Sequence, residues 1–270
     1  MTARALYVYA IVPPQLPDHW SAQGINSSHV RTVSEANVIA LVHDMAEAAA
    51  YTGPDDDVRR WVVEHAQIVE AAWHETGSAL PVTFDVIVRG DDSTSAEDRL
   101  RGWLRHSADA LTEQLRSLSG RSELRIELGL RDSASPSDHP SNPPLRSARG
   151  RDVLMAKRHL LVQRDRIREK AAGLERRARR ELPPLCEKFV ELPRVHMDDV
   201  APVLGAALLV PNSGIEDVGR WLAHLLREEP ALAVRFLGPW PPYSFVTMTM
   251  PSADATAPAA PPAVTDVNGR

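Results

Sequence analysis

The nonapeptide Gly238-Pro239-Trp240-Pro241-Pro242-Tyr243-Ser244-Phe245-Val246 decides how the end of the chain folds. Its three prolines hold φ at about −65° and remove backbone donors. Each proline also keeps the preceding residue out of the α region, so the segment is extended. An apolar run before it and an alternating run after it, to Met250, predict a strand, a rigid corner and a second strand. Trp240, Tyr243 and Phe245 are either core residues, which we favour, or anchors of a protein interface.

The composition is that of an ordinary soluble protein with two domains. The chain has 270 residues, of which 43% are hydrophobic and 25% charged, and its net charge is −5. Domains average roughly 150 residues, so the length predicts two. The single cysteine, Cys186, excludes an intrachain disulfide and suits a reducing cytoplasm. We expect no signal peptide, because the apolar run from Leu6 is short, lacks a small-residue cleavage site and ends at Pro13-Pro14. We expect no membrane-spanning helix, because no apolar segment approaches about 20 residues.

Hydrophobic periodicity predicts an α+β arrangement in the first half of the chain. Pro54 followed by acidic residues marks one helix start, and Thr94-Ser95-Ala96-Glu97 has the form of a capping box. Strands are predicted at residues 4–12, 30–33, 37–43, 80–88 and 124–130, and helices at 54–77 and 94–120.

Composition divides the chain near its middle. Nine of the eighteen residues from 132 to 149 are Ser or Pro, which is typical of a linker or an exposed loop. After this stretch, the sequence predicts a helix and then strands at 189–195 and 203–210. A second helix, with a capping box at Ser213-Gly214-Ile215-Glu216, follows them and comes before the proline corner. The sequence therefore predicts an N-terminal domain at 1–131, a linker at 132–149, a C-terminal domain at 150–250 and a disordered Ala/Pro-rich tail at 251–270.

The helix at 149–180 is the most charged part of the chain, with twelve Lys or Arg against four Asp or Glu. Val153, Leu160, Ile167 and Leu174 repeat every seven residues, as on one side of a coiled coil. Such a rod could bind nucleic acid through counterion release. The acidic chain and the lack of aromatic residues among the arginines favour instead a solvated helix laid on its own domain, or one facing an acidic protein partner or an acidic patch of the N-terminal half.

Residues that support catalysis do not form a complete set. The sequence has no Gly-rich phosphate loop, no nucleophile elbow and no metalloprotease motif. We interpret Cys186 as a structural thiol, and His65 and His74 as packed or solvated residues. His196 and Asp198 lie too close together on one segment to converge on a metal. We therefore expect no enzymatic activity, no cofactor and no metal.

Four motifs in order carry a family resemblance over residues 5 to 248. They are Leu6-Tyr7-Val8-Tyr9-Ala10-Ile11-Val12, Leu80-Pro81-Val82-Thr83-Phe84, Gly150-Arg151-Asp152-Val153-Leu154 and the nonapeptide. Together they resemble the GvpF/GvpL family of gas vesicle proteins. Relatives usually have Arg-Phe-Gly where this chain has Thr83-Phe84-Asp85.

The resemblance implies an α+β fold with an N-terminal sheet domain and a C-terminal ferredoxin-like domain that carries the long basic helix. It also implies an accessory or minor structural protein of gas vesicles, located in the vesicle and the cytoplasm, without cofactor or catalytic residue. Its expected partners are the hydrophobic major shell subunit, GvpA, and other gas vesicle accessory proteins, and its role is to assist assembly. Neither a membrane nor a nucleic acid is an expected partner.

We hypothesise that the chain covers the apolar surface of the shell subunit, or adds a strand to its edge. The predicted contact residues are Tyr7, Tyr9, Val82, Phe84, Trp240, Tyr243 and Phe245. The alternative is a nucleic-acid-associated or regulatory protein that acts through the basic helix at 149–180.

Overall fold

Residues 5–17, 19–46, 49–131, 150–194 and 200–250, which the computed structural model describes, form two antiparallel sheets with helices packed on them. The strands are β1 (Ala5–Val12), β2 (Ala22–Gln23), β3 (His29–Glu35), β4 (Val38–Met45), β5 (Leu80–Pro81), β6 (Ile87–Arg89), β7 (Arg121–Arg131), β8 (Lys188–Leu192), β9 (Val200–Pro211) and β10 (Leu232–Trp240). The helices are α1 (Asp55–Thr76), α2 (Ala96–Leu118), α3 (Gly150–Glu181) and α4 (Ile215–Glu228). The predicted α+β class is confirmed.

The first unit, Met1–Gly120 with Pro241–Arg270, is built around β1. Its strand order is β2-β3-β4-β1, with both β5 and β6 paired to the far side of β1. Every residue of β1 is fully buried, which explains the continuous apolar run in the sequence. Helix α1 packs on this sheet through Ile68, Val69, Ala72 and Trp73, whose spacing of three and four residues places them on one helix face.

The second unit, Arg121–Trp240, has the strand order β10-β7-β9-β8, and all these neighbours are antiparallel. Its elements follow the order β7-α3-β8-β9-α4-β10, which is the ferredoxin-like βαββαβ connection. Alternate residues of β7 and β9 pack against α3 and α4. This core contains Leu124, Ile126, Leu128, Ala178, Leu182, Leu204, Ala206, Leu208, Val218, Leu222 and Leu225.

Strand β7 joins a different sheet from the one that its position in the sequence suggests. The predicted N-terminal domain ran to residue 131, but β7 pairs with β9 and β10 along its length. The alternating pattern at 124–130 predicts a strand with one buried face, and it holds no information on which sheet receives that face. In the sequence, the Ser/Pro-rich stretch at 132–149 therefore comes after the first strand of the second unit and before its first helix.

The segment predicted as one strand at 80–88 is interrupted in its middle. β5 and β6 both pair with β1, but residues 83–85 leave the ladder, and Asp85 takes a left-handed conformation with φ 69°. The second strand predicted after the proline corner is also absent among the described residues. Tyr243–Phe245 forms a 3₁₀ turn there, with the Tyr243 and Phe245 amides donating to the carbonyls of Pro241 and Pro242.

Both predicted capping boxes are shifted or lacking. Helix α2 is capped by Ser95, whose Oγ accepts the Asp98 amide at 3.0 Å, so the cap lies one residue after Thr94. Helix α4 begins after Gly214 without a side-chain cap, because Ser213 belongs to a preceding 3₁₀ turn.

Several predictions fall outside the described residues. They concern the stretch at 132–149, the tail at 251–270, residues His196 and Asp198, and the side chains of Val153 and Leu160. Within the described part of the chain, no helix is long and apolar enough to span a membrane.

Candidate functional site

Aromatic and imidazole rings form a cluster in the first unit that extends from the core to the surface. Tyr7 and Tyr9 alternate along β1 and so point to the same face of the sheet. Tyr7 stacks on His43 of β4, with ring centroids 5.0 Å apart and planes 11° apart. Tyr9 stacks on His65 of α1 at 5.4 Å and 30°. None of these four side chains is more than 3% exposed.

A first hydrogen-bond relay passes through Tyr7 and His65. The Asp85 amide donates to Tyr7 Oη at 3.1 Å, so the phenol proton is free to go to His65 Nδ1, 2.8 Å away. His65 Nε2 then carries the ring proton and donates to the Val82 carbonyl at 3.0 Å. This relay ties β1, α1 and the turn at 82–86 together.

A second relay has the same order of donors and passes through Tyr9 and His43. The Ile25 amide donates to Tyr9 Oη at 2.9 Å, and Tyr9 donates to His43 Nδ1 at 2.8 Å. His43 Nε2 then donates to Tyr51 Oη at 3.1 Å. The second relay fixes the turn at 24–28 and the segment that carries Tyr51.

Burial keeps both relays neutral. It lowers the pKa of His43 and that of His65 to about 4, and it raises the pKa of Tyr7 and Tyr9. A neutral imidazole with one donor and one acceptor is the form that the hydrogen bonds require. Because the side chains are out of reach of a substrate, their role is to position loops.

The outer side of the cluster is an aromatic rim formed by Tyr51, Trp61 and Phe84. All three are half-buried, and the ring of Tyr51 lies 5.2 Å from that of Trp61 and 6.3 Å from that of Phe84. Trp61 Nε1 donates to Asn26 Oδ1 at 2.9 Å, and the Arg60 guanidinium lies over the Trp61 ring at 5.7 Å. The rim therefore presents fixed ring surfaces to solvent.

Strained backbone is concentrated around this rim. Asn26, Ser27 and Asp85 have φ of 53°, 59° and 69°, and Ala36 in the β3–β4 turn is the other described non-glycine residue with positive φ. Asp85 Oδ1 accepts the Tyr51 amide at 3.0 Å, which anchors one strained residue to the rim. Such strain persists where surrounding contacts enforce it, and it clusters at functional sites. The aromatic rim is therefore the candidate functional site.

Comparison with known proteins gives the family. The family model for the gas vesicle synthesis protein GvpL/GvpF matches residues 5–247. The chain belongs to the GvpL/GvpF family. Gas vesicle protein L of Haloferax mediterranei is 25% identical over 242 residues, which cover 84% of this chain and 73% of that protein. Gas vesicle protein L1 of Halobacterium salinarum is 27% identical over 258 residues, covering 88% and 89%.

The fold is shared with a solved relative. The crystal structure of the gas vesicle protein GvpF from Anabaena sp. superposes with a TM-score of 0.68 at 19% identity, over 91% of this chain and 97% of that one. This GvpL/GvpF protein therefore has a gas vesicle-related role, in a family of gas vesicle proteins rather than of known enzymes. In the part of the chain that the structure describes, no group of His, Cys, Asp or Glu residues could hold a metal ion.

Some of the contact residues predicted for this GvpL/GvpF protein are buried, and others reach the surface. Tyr7 and Tyr9 are fully buried and Val82 is 1% exposed, so their side chains have no surface to offer in this structure. β1 is paired with β4 on one side and with β5 and β6 on the other, which leaves no free edge for strand addition at Tyr7–Tyr9. Phe84 is half-buried and belongs to the aromatic rim.

The predicted residues of the proline corner make contacts within their own units. In the second unit, Trp240 lies under the Arg125 guanidinium at 5.6 Å, and Arg125 Nε donates to Glu123 at 2.8 Å. In the first unit, Phe245 is 8% exposed and Tyr243 packs against the core that contains Tyr7 and Tyr9. Tyr243 and Phe245 therefore lie on the core side of the corner, whereas Trp240 is half-buried against Arg125.

Sequence reasoning missed the residues that connect the site. Trp61 and His65 are four residues apart on α1, a spacing that predicts a shared helix face. A second signal was Asp85, which stands where relatives usually have glycine. A positive φ costs glycine little, so that glycine marks the strained turn that the structure shows at Asp85.

Acidic residues of the second unit pair with basic residues in the C-terminal part of α3. Arg177 bonds to Glu181 at 2.9 Å and to Glu228 at 2.6 Å. The pKa of Glu181 is lowered to about 2, chiefly because Trp221 Nε1 donates to its carboxylate. Further pairs join Lys170 to Glu229, Arg179 to Glu175 and Glu191, and Arg180 to Glu181. The pairs to Glu228, Glu229 and Glu191 connect α3 to other elements of its own unit, which favours the solvated-helix interpretation over nucleic-acid binding.

Proposed function

We propose that this chain is an accessory or minor structural gas vesicle protein that binds the hydrophobic major shell subunit, GvpA, through its aromatic rim and assists vesicle assembly. A poorly wetted subunit must be kept from pairing with itself before it reaches the growing shell. A folded partner that covers its apolar surface meets this need. The observation that carries the proposal is the half-buried rim of Tyr51, Trp61 and Phe84.

The rim suits such a contact because it is rigid before binding. Aromatic side chains bury large areas and lose little conformational entropy when they are already fixed. The second relay holds the Tyr51 hydroxyl, and the Asn26 side chain holds the Trp61 indole. Coverage of an apolar surface is the mode of binding we propose, since β1 has no open edge for strand addition.

The nucleic-acid alternative has less support, because the acidic partners of Lys170, Arg177, Arg179 and Arg180 reduce the free positive charge of α3. A gel shift over a range of salt concentrations addresses it directly. Tight binding that falls steeply with salt would favour the alternative.

Co-expression of the full chain with tagged GvpA tests the proposal. We expect the unaltered chain to be retained on the affinity matrix, and a Trp61→Ala/Phe84→Ala variant to be retained at least tenfold less. Val63→Ala is the matched control, because Val63 is an apolar residue of the same helix that is 49% exposed and outside the rim. Circular dichroism establishes that each variant is folded.

The outcomes are distinct. Absence of retention for the unaltered chain contradicts GvpA binding. Equal retention of the unaltered chain and a folded rim variant would leave binding intact and remove the rim as its site.

A further inference from the structure

The core of the second unit covers only the C-terminal part of α3. Ala178 and Leu182 are buried in that core, and Leu174 packs against it. Among the described side chains of residues 158–170, only that of Ile167 is half-buried, and the others are exposed. We call residues 158–170 the open part of α3, and at about 1.5 Å per residue it is roughly 20 Å long.

One face of the open part combines aliphatic side chains with arginines. At about 100° per residue, Leu161, Arg164, Ile167 and Arg168 lie within roughly 120° of the helix circumference. Leu161 is 52% exposed, and the side chain of Arg168 is 70% exposed. We call these four residues the Leu161–Arg168 face.

The positive charge of this face is largely uncompensated. Within the part of the chain that the structure describes, Arg164 forms no ion pair. Arg168 reaches Asp165, which borders the face, at 3.8 Å, and both side chains are more than two-thirds exposed. Exposed ion pairs of this kind contribute little. Glu169 lies seven residues after Val162, and both are on the other side of the helix.

The occupant that fits this face is an acidic amphipathic helix. A strand has nothing to pair with here, because the amides and carbonyls of a helix bond to one another. The side chains of the face suit a second helix, whose aliphatic residues pack between them and whose carboxylates pair with the two arginines. A second copy of the face would bring arginine against arginine. Nucleic acid is disfavoured, because residues 158–170 contain no aromatic ring on which a base could stack.

We propose that the Leu161–Arg168 face of α3 binds an acidic amphipathic helix of a partner protein. The partner helix has aliphatic residues three or four positions apart, which pack against Leu161 and Ile167. Glu or Asp residues beside them pair with Arg164 and Arg168. The proposal goes beyond GvpA binding, and it does not depend on the aromatic rim.

Three labelled peptides of about 20 residues test the proposal with the full chain, by fluorescence anisotropy. The first is an acidic amphipathic helix with leucines on one face and glutamates beside them. The second has lysine in place of each glutamate. The third has the composition of the first, with its leucines spread around the helix. We expect the first to bind saturably with a Kd of about 100 μM or lower, and each of the others at least tenfold more weakly.

Charge variants locate the acidic peptide on the chain. Arg164→Gln/Arg168→Gln removes both charges of the face and keeps good helix formers, so we expect it to bind the peptide at least tenfold more weakly. Arg59→Gln/Arg116→Gln is the matched control, because it changes the net charge equally at exposed arginines of the first unit. We expect this control to bind as the unaltered chain does. Circular dichroism establishes that each variant is folded.

An aliphatic pair of variants tests the apolar part of the contact. Leu161→Ala should weaken binding of the acidic peptide about threefold or more, because Leu161 packs against the leucines of the peptide. Val162→Ala is its control, since Val162 is 46% exposed but lies outside the face. Equal effects of the two substitutions would contradict the proposed contact.

Other results would also overturn the proposal. Failure of the acidic peptide to bind the unaltered chain excludes the site, and full binding to Arg164→Gln/Arg168→Gln places the peptide elsewhere. Equal binding of the first and third peptides would show that charge alone is recognised. Duplex DNA that displaces the acidic peptide, with an affinity that falls steeply with salt, would assign the face to nucleic acid. Self-association in sedimentation that Arg164→Gln/Arg168→Gln abolishes would assign it to a second copy.

Discussion

Acidification from pH 7 to pH 4 should destabilise the first unit through its two buried histidines. Burial lowers the pKa of His43 and that of His65 from 6.5 to about 4. The unfolded chain therefore binds protons below pH 6.5 that the folded chain refuses until about pH 4, and stability falls as the pH falls through this window. At 1.36 kcal/mol per pKa unit, each histidine costs about 3 kcal/mol by pH 4. Domain stabilities are roughly 5 to 15 kcal/mol, so the combined loss is a large fraction of the total.

Urea titrations between pH 4 and pH 8, followed by tryptophan fluorescence, measure this loss. A Trp221→Phe/Trp240→Phe background confines the signal to the first unit, because its remaining tryptophans all lie there. These are Trp20, Trp61, Trp73 and Trp103. In this background, His43→Gln and His65→Gln each remove one titrating group, and each should remove about half of the pH dependence. His74→Gln is the control, because the His74 side chain is 63% exposed.

The refuting results are specific. A free energy of unfolding that stays constant from pH 7 to pH 4 would show that the histidines are not held neutral. An unchanged pH dependence in both glutamine variants would assign the effect to other groups. Either result would remove the electrostatic account of the relays.

Three substitutions of glycine, one of them a control, test the packing around the site and the proline corner. A Cβ on Gly24 would lie 2.0 Å from Tyr9 Oη, so Gly24→Ala should displace the second relay and lower the free energy of unfolding by roughly 2 to 4 kcal/mol. Gly77→Ala is the control. No atom lies within 4 Å of a Cβ there, so only the positive φ should lower the free energy of unfolding, by about 1 kcal/mol. Gly238 has φ 111° and a Cβ there would lie 2.6 Å from the Glu123 carbonyl, so Gly238→Ala should cost about 3 kcal/mol. Urea denaturation measures all three, and equal costs for the two alanines at residues 24 and 77 would contradict the packing argument.

Periodicity predicted most helices and strands of this fold, because each element has one buried face. Helix α1 begins at Asp55 and is closed by Gly77 as the helix signals indicate, and the hairpin of β3 and β4 lies where its two short runs predict it. Periodicity did not indicate which of the two sheets each strand joins. β7 has the same alternation that any half-buried strand has, and its partners lie about 70 and 100 residues further along the chain.

The candidate site was harder to predict than the fold. Its rings come from α1 and two irregular segments, those of the relays beneath it come from β1, β4 and α1, and only the folded chain brings them together. Tyr7 and Tyr9 are predicted as partner contacts because they lie in the strand-rich N-terminal half, whereas the structure buries both and uses them to hold other residues. A buried motif can therefore act on the surface indirectly, through the hydrogen bonds that it makes.

The strained turns explain why the chain uses relays here instead of simple apolar packing. Asn and Asp tolerate left-handed φ better than most side-chain-bearing residues, but the conformation still costs free energy at Asn26 and Asp85, which specific hydrogen bonds can offset. The relays supply such bonds at the backbone amides of Ile25 and Asp85, next to or at these positions. Because each bond is directional, the turns adopt one geometry, and the aromatic rim that they support is fixed with them.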